Sequence, residues 1–561
     1  MDHRILTNTA TLLLAAIITV CLCMEIILNL TPPISRDALI HHLAIPKLWL
    51  NHGEFYEIPW ADYSYYPMYI NLLYLVCLYF KNDIVPKFIH FAFGMGTGLI
   101  IYIYLKHRFQ RNWALLGVVI FLTTPIVIWL STSAYVDLGM TFFTTGSVLA
   151  FVRWRDSEYR QFKWFLISSL CMGIAIGSKY NALIGWFIVN LMLMFSYVRE
   201  TNQQIGALEY GLLFFIITAF VASPWYLKNY LQTGNPFYPL FNSIFQSLPH
   251  KAFQEVINSQ LAEKTGRIGF FKMREIMYGE GFLDTLLIPI RMFFQGQDNS
   301  YQYFQGVLNP ILIIFSPFIL LNRRYAKDKF LFASFSMLFI FMAYFLTKKQ
   351  VRYILPVLPF LTIIAVMGIK DLVDRLGDGM STSSLSFRMN DGSISRMVIF
   401  VTVAVLLLFN LFYLKNRVDV IKPFPYLLGK EIKDDFLKRH LLHYDAVKYV
   451  NANLPEDAVI FTMFLGRRGY YLDKAYKNEP SFGRNVLRHM VTRSDSEEKF
   501  KEYVTSLEVT HILMRTDLVN KFLQDNFSQE EVRRFINLTK KCWKLLYDCT
   551  GYAVLDVRPC R

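Results

Sequence analysis

Charge is what this sequence has little of. Only 18% of its 561 residues are Asp, Glu, Lys or Arg, against 54% hydrophobic and 16% aromatic. That balance excludes an ordinary soluble domain, whose surface needs more charge. Residues 415–561 contain no G-x-G-x-x-G and no G-x-x-x-x-G-K-[ST], so nothing there cradles a nucleotide phosphate. No internal repeat is visible, which weighs against the paired halves on which many transporters are built. Cysteine is sparse. Cys21, Cys23, Cys77 and Cys171 lie in apolar runs and read as small core residues, while Cys542, Cys549 and Cys560 fall near the end. Their spacing leaves a Cys542–Cys549 bridge open.

What the sequence does have is long apolar runs, each near the length that spans ~30 Å of hydrocarbon. The expected spans are 9–30, 86–105, 113–130, 138–152, 164–178, 182–198, 207–223, 306–321, 330–347, 354–369 and 397–414. The first run is too long for the core of a signal peptide and lacks a cleavage pattern, so it is expected to stay as a span. The formal charge of +15 is no sign of nucleic-acid binding. Its basic residues gather in short loops such as "KHRFQRN", "RWRDSEYRQFK" and "NRRYAKDK", the mark of cytoplasmic loops. With about eleven spans, the N-terminus is then cytoplasmic, and loops 31–85 and 224–305 and the tail lie outside. The apolar stretch 66–80 is short, Tyr-rich and opens at a proline, and is read as a helix lying at the outer interface.

From about residue 415 the character changes. "HYDAVKYVNANLPEDAVIFTMFL" reads as helix, turn and strand, "EVTHILMR" as a strand, and "CWKLLYDCTGYAVLDV" as two strands around a Thr-Gly turn. The expected fold is mainly α: a polytopic helical bundle over 1–414, followed by a small extracytoplasmic α/β domain over 415–561. Residues 377–395, rich in turn formers, read as a cytoplasmic loop.

The chemistry concentrates at the outer ends of the spans. Asp37 follows the first span and a Pro-Pro, just ahead of His41 and His42. Asp137 opens the fourth span, and an acid at membrane depth is expensive enough to be a functional candidate. Lys179, Lys228, Lys348, Lys349 and Arg352 sit at outer boundaries, where the charge rule expects few cations. A cluster there wants an anion. Together these residues point to displacement of a lipid-borne phosphate. Such a leaving group needs charge neutralisation by Arg or Lys, whereas the attacking hydroxyl or amine needs one carboxylate as base. Asp37 fits the base, and Asp137 an orienting role. His41, His42 and aromatic residues including Tyr66 are candidates for substrate contact. Two adjacent histidines are not a metal site, so neither a metal nor another cofactor is indicated.

These stretches also carry a resemblance. "RDALIHHLAIPKLWLNHG", "YSYYPMYINLLY", "STSAYVDLGMTFF", "GIAIGSKYNALI", "PWYLKNYLQTGNPFYPLF" and "KKQVRYILPVLPF", in that order, resemble the GT-C superfamily of integral-membrane glycosyltransferases. That group includes protein O-mannosyltransferases and the enzyme that adds aminoarabinose to lipid A. The resemblance implies Asp37 as catalytic base, Asp137 as a second acid and Arg352 as the contact to the lipid phosphate; by position, Lys349, Lys179 and Lys228 are further phosphate candidates. It implies a polyprenyl-phosphate sugar donor and a glycolipid, polysaccharide or protein acceptor outside the cytoplasmic membrane, with transfer by inversion. Asp37 stands between Arg36 and Ala38 where family members often pair two acids, which weighs against the metal-dependent branch. The competing expectation is a flippase for an anionic lipid-linked sugar.

Overall fold

The computed structural model of the chain describes residues 3–245, 270–378, 389–479 and 485–560. Its first part is a bundle of apolar helices. Helix α1 (His3–Asn29) is followed by a loop holding the short α2 (Ala44–His52) and α3 (Tyr69–Tyr79). Then come α4 (Val85–Lys106), α5 (Arg111–Thr123), α6 (Pro125–Ser131) and α7 (Asp137–Asp156). Helices α8 (Phe162–Ile176), α9 (Ala182–Thr201) and α10 (Gln204–Thr233) complete this half. Later come α11 (Ala326–Leu346), α12 (Leu358–Asp378) and α13 (Met389–Ile421).

Among the described residues, seven helices are long and apolar enough to cross a membrane, and eight if the α5–α6 pair, bent by 67°, counts as one. The protein is a multi-pass membrane protein. The eleven expected spans thus include three that this measure does not admit. The helix for 164–178 has 15 residues, and 138–152 lies in the less apolar α7. Residues 306–321 form only a short α-helix (Ile311–Ile314) and a 3-10 segment (Ser316–Leu321). Pro310 and Pro317 explain the break, since each removes a backbone donor. This broken segment packs tightly on α12: a Cβ at Gly368 would sit 2.0 Å from the Phe315 carbonyl oxygen. The stretch 66–80 yields the 11-residue α3, about 16 Å long at 1.5 Å per residue, too short to span. Helix α13 begins at Met389, eight residues before the expected span, so the last part of the expected 377–395 loop is helical. Most of that loop lies outside the described residues.

The C-terminal part holds a five-stranded mixed sheet, in the order β2-β1-β3-β5-β4. The strands are β1 (Val459–Met463), β2 (Ala475–Asn478), β3 (His511–Arg515), β4 (Lys544–Cys549) and β5 (Tyr552–Asp556). β1 pairs parallel with β2 and β3, and β5 pairs antiparallel with β3 and β4. Thr550 and Gly551, at φ 53° and 80°, make the tight turn between β4 and β5, as the Thr-Gly pair foretells. Sequence analysis missed the short, polar β2. Cys549 ends β4 exposed, while the buried Cys560 thiol lies in hydrogen-bond contact with that of Cys542; all three are free thiols, so no Cys542–Cys549 bridge is formed.

One face of the sheet closes on the loop after α1. Leu48 and Trp60 pack against its core, with Trp60 and Tyr476 at 5.4 Å between ring centroids. The link 470–473 is fastened to the same loop. Lys47 Nζ donates to the Tyr470 and Leu472 carbonyls and to Asp473 at 2.9–3.0 Å, and Tyr471 donates its hydroxyl to the Pro33 carbonyl at 2.7 Å. This docking joins the C-terminal part of the chain to the loop that carries Asp37.

Candidate active site

Asp37 follows directly from the way α1 ends. Pro32 and Pro33 cannot continue a helix, and the chain restarts in a five-residue π turn, Ala38–His42. Turns of that type are rare and frequent at functional sites. The Asp37 backbone N–H donates to the Tyr135 hydroxyl at 3.2 Å, and Ser35 and Ser133 share a hydrogen bond of 2.8 Å, so this turn is anchored to the approach to α7.

Asp137 is the first residue of α7, a position where the helix dipole favours a carboxylate. His90 Nε2 accepts the Leu138 N–H at 2.9 Å, which leaves its Nδ1–H to donate to the carbonyls of Leu130 and Ser133 at 2.8 and 2.9 Å. The Asp137 side chain is fully buried and takes a 2.6 Å ion pair from Lys179. Its second oxygen has no hydrogen-bond partner among the described residues.

Arg352 comes from a 3-10 segment, Val351–Val357, held by a hydrogen bond from the Val351 N–H to the Phe304 carbonyl at 2.8 Å. Its guanidinium donates to the Asp37 carboxylate and, through Nε, to Gln350 at 3.1 Å. Arg352 and Lys179 flank the ring of Tyr353 at 5.4 and 5.7 Å. The two ion pairs, Asp37–Arg352 and Asp137–Lys179, thus meet with both cations near one aromatic ring. Burial alone would push the Asp37 carboxyl up, but Arg352, with Lys179 behind it, outweighs burial and holds it well below the usual carboxylate range.

His41 and His42 stand beside this quartet. Burial drives His41 down to about 4, so it is neutral at pH 7, and its ring stacks on Tyr63 at 4.5 Å. Its Nδ1 has no hydrogen-bond partner among the described residues. His42, lowered likewise by burial, faces the Asn71 amide at 3.1 Å. Tyr66 packs edge-on against Tyr63 and Tyr180. Lys228 and Lys349 stand elsewhere. Lys228 is boxed by Trp49, Tyr65 and Trp225 and donates to the Ser64 carbonyl at 2.7 Å. Lys349 donates to the Thr347 carbonyl at 2.8 Å and lies over Tyr344. Among the described residues, no group of three or more His, Cys, Asp or Glu is placed to hold a metal ion.

A cavity of about 390 Å³ opens onto the Asp37–Arg352 pair. Its wall also carries Arg36, Lys87, Arg417 and Arg468, none of which sequence analysis singled out as a site residue. Asp37 is the one carboxylate on that wall among the described residues. Asp137, Lys179 and the two histidines lie behind it.

Comparison with known proteins follows the same outline. A family model described as dolichyl-phosphate-mannose-protein mannosyltransferase matches residues 64–244, a stretch that takes in Asp137 and Lys179. No curated protein matches the sequence. Among solved structures, ArnT from Cupriavidus metallidurans bound to undecaprenyl phosphate is similar at 13% identity and a TM-score of 0.54, over 96% of this chain and 97% of that one. The oligosaccharyltransferase AglB of Archaeoglobus fulgidus, in complex with an inhibitory peptide and a dolichol-phosphate, is similar at 12% identity and a TM-score of 0.52. There the match covers 97% of this chain and 74% of that one. The same enzyme tethered to an acceptor peptide gives 13% identity and a TM-score of 0.55, with the same coverage. Over nearly its whole length, then, the chain shares the fold of these solved structures.

Proposed function

We propose that the protein moves a sugar from a polyprenyl-phosphate donor to the hydroxyl or amine of an acceptor, with inversion, at the extracytoplasmic face of the cytoplasmic membrane. The observation that carries the reading is the Asp37–Arg352 ion pair on a cavity wall, backed by Asp137–Lys179. The solved relatives hold undecaprenyl phosphate and dolichol-phosphate, which favours that donor class.

The chemistry follows from the pair. The acceptor heteroatom attacks the anomeric carbon, the bond to the phosphate oxygen breaks, and the lipid phosphate leaves with the electron pair. Asp37 takes the acceptor's proton and Arg352 neutralises the departing phosphate. Attack opposite the leaving group inverts the centre. The ion pair makes the two roles interdependent. While Arg352 serves Asp37, the carboxylate is a weak base. A donor phosphate that draws on the same guanidinium cancels part of its field, and the Asp37 pKa rises towards the value a base needs. Asp137 keeps Lys179 charged and in place behind the pair. Lys228 and Lys349, already engaged elsewhere, take no part in this scheme.

Purification in mild detergent followed by lipid mass spectrometry tests the donor. A co-purified prenyl-phosphate sugar, lost in Arg352→Gln, is expected. Movement of such a lipid across reconstituted vesicles with no covalent product would replace this reading with a flippase.

A further inference from the structure

The cavity has more positive charge than the Asp37–Arg352 pair explains. Lys87 is spent, since its ammonium donates to the carbonyls of Leu28 and Thr31 at 2.8 and 3.0 Å and so closes the end of α1. Three guanidiniums remain. Arg36 comes from the loop after α1, Arg417 from the end of α13, and Arg468 from the C-terminal domain. The one partner found for Arg36 among the described residues is the neutral Tyr301 hydroxyl, at 3.2 Å. Arg417 Nε and Arg468 Nε are buried with no hydrogen-bond partner, and no described carboxylate forms an ion pair with any of the three. Buried donors are almost always satisfied, so the two Nε groups call for a partner, and Arg36, although exposed, adds a third like charge that repels the others unless something between them is negative. Burial and the nearby Arg36 both work against the charge on Arg468.

Position decides which negative group. Arg468 lies within electrostatic reach of Asp37 and Tyr135. With Arg352 given to the donor phosphate in the reading above, a second anionic group held by Arg36, Arg417 and Arg468 in the same cavity belongs to the other substrate, the acceptor. Guanidinium forks match phosphate and carboxylate geometry.

We infer that Arg36, Arg417 and Arg468 bind an anionic group on the acceptor, a phosphate or a carboxylate, distinct from the donor phosphate at Arg352. The acceptor is then an acidic glycan or glycolipid, and the C-terminal domain helps to select it by supplying Arg468. This inference rests on the transferase reading above.

The test uses the full-length protein in detergent, with undecaprenyl monophosphate and inorganic phosphate as separate probes in calorimetric titrations. Protein saturated with undecaprenyl monophosphate is expected to bind one further phosphate ion. Arg417→Gln/Arg468→Gln should weaken that second event at least tenfold and leave the lipid titration unchanged, while Arg468→Lys keeps part of it. Thermal unfolding of each variant reports whether it is folded. The inference is overturned if the lipid-saturated protein binds no phosphate, if the double variant binds it equally well (an adventitious ion only), or if the two probes compete. Competition would assign the three arginines to a diphosphate donor. Failure of undecaprenyl monophosphate to bind at all would instead count against the transferase reading, since phosphate binding by the arginines is read separately.

Discussion

The guanidinium of Arg352 donates to the carboxylate of Asp37 across 315 positions of sequence, and each side chain is mostly buried. One residue follows the first membrane helix and the other precedes α12, so the pair closes the bundle on itself. It also sets the charge state of the proposed base, which makes the pair testable from either side.

The pH dependence has a definite sign. A carboxylate base works above its pKa, and Arg352 holds the Asp37 carboxyl of the free enzyme below the ordinary range, so wild-type kcat/KM should show no acid limb near neutrality. In Arg352→Gln, burial acts with its main opponent gone, and the acid limb of kcat/KM should move to higher pH. The residual rate should fall by about 10²–10³, the cost of removing one preorganised electrostatic contact. Profiles between pH 4 and 9 check both, and an unmoved limb would separate Asp37 from the reaction.

The Asp137–Lys179 pair should behave as a buried ion pair. Lys179→Met leaves an uncompensated buried carboxylate and should cost about 3–5 kcal/mol. Asp137→Asn/Lys179→Met should recover much of that stability. Unfolding in detergent compares the single and double variants.

Lys47 should govern how firmly the C-terminal domain is seated. Lys47→Ala strips a donor from two backbone carbonyls and is expected to raise proteolytic cutting between residues 421 and 444. Asp473→Asn should change it little, because that carboxylate is 67% exposed and its ion pair is largely screened.

Topology can be read from one native thiol. Cys549 is exposed at the end of β4, whereas Cys542 and Cys560 are buried. A membrane-impermeant maleimide added to intact spheroplasts should label Cys549 and lose that label in Cys549→Ser. Labelling only after lysis would turn the molecule over.

Much of this was legible because membrane constraints are severe. An acid such as Asp137 at a helix start inside a bundle stands out in a sequence this poor in charge. The turn at Thr550 and Gly551 has its own local chemistry, and the long helices follow from hydropathy. What stayed hidden depends on three dimensions. Arg417 and Arg468 look like ordinary basic residues after a span and in a loop, and only docking of the C-terminal domain brings both to one cavity with Arg36. Lys228 shows the reverse case. It has the position of a phosphate ligand, but the Ser64 carbonyl and three aromatic rings already occupy its ammonium group. Short β2 has too few residues for any alternation to emerge.

The most direct measurement is single-turnover transfer of labelled sugar from a polyprenyl-phosphate donor by purified Asp37→Asn protein, alongside its donor affinity. The account predicts donor binding retained and transfer slowed by about 10²–10⁴, the usual contribution of a positioned base. Transfer at the wild-type rate would contradict it.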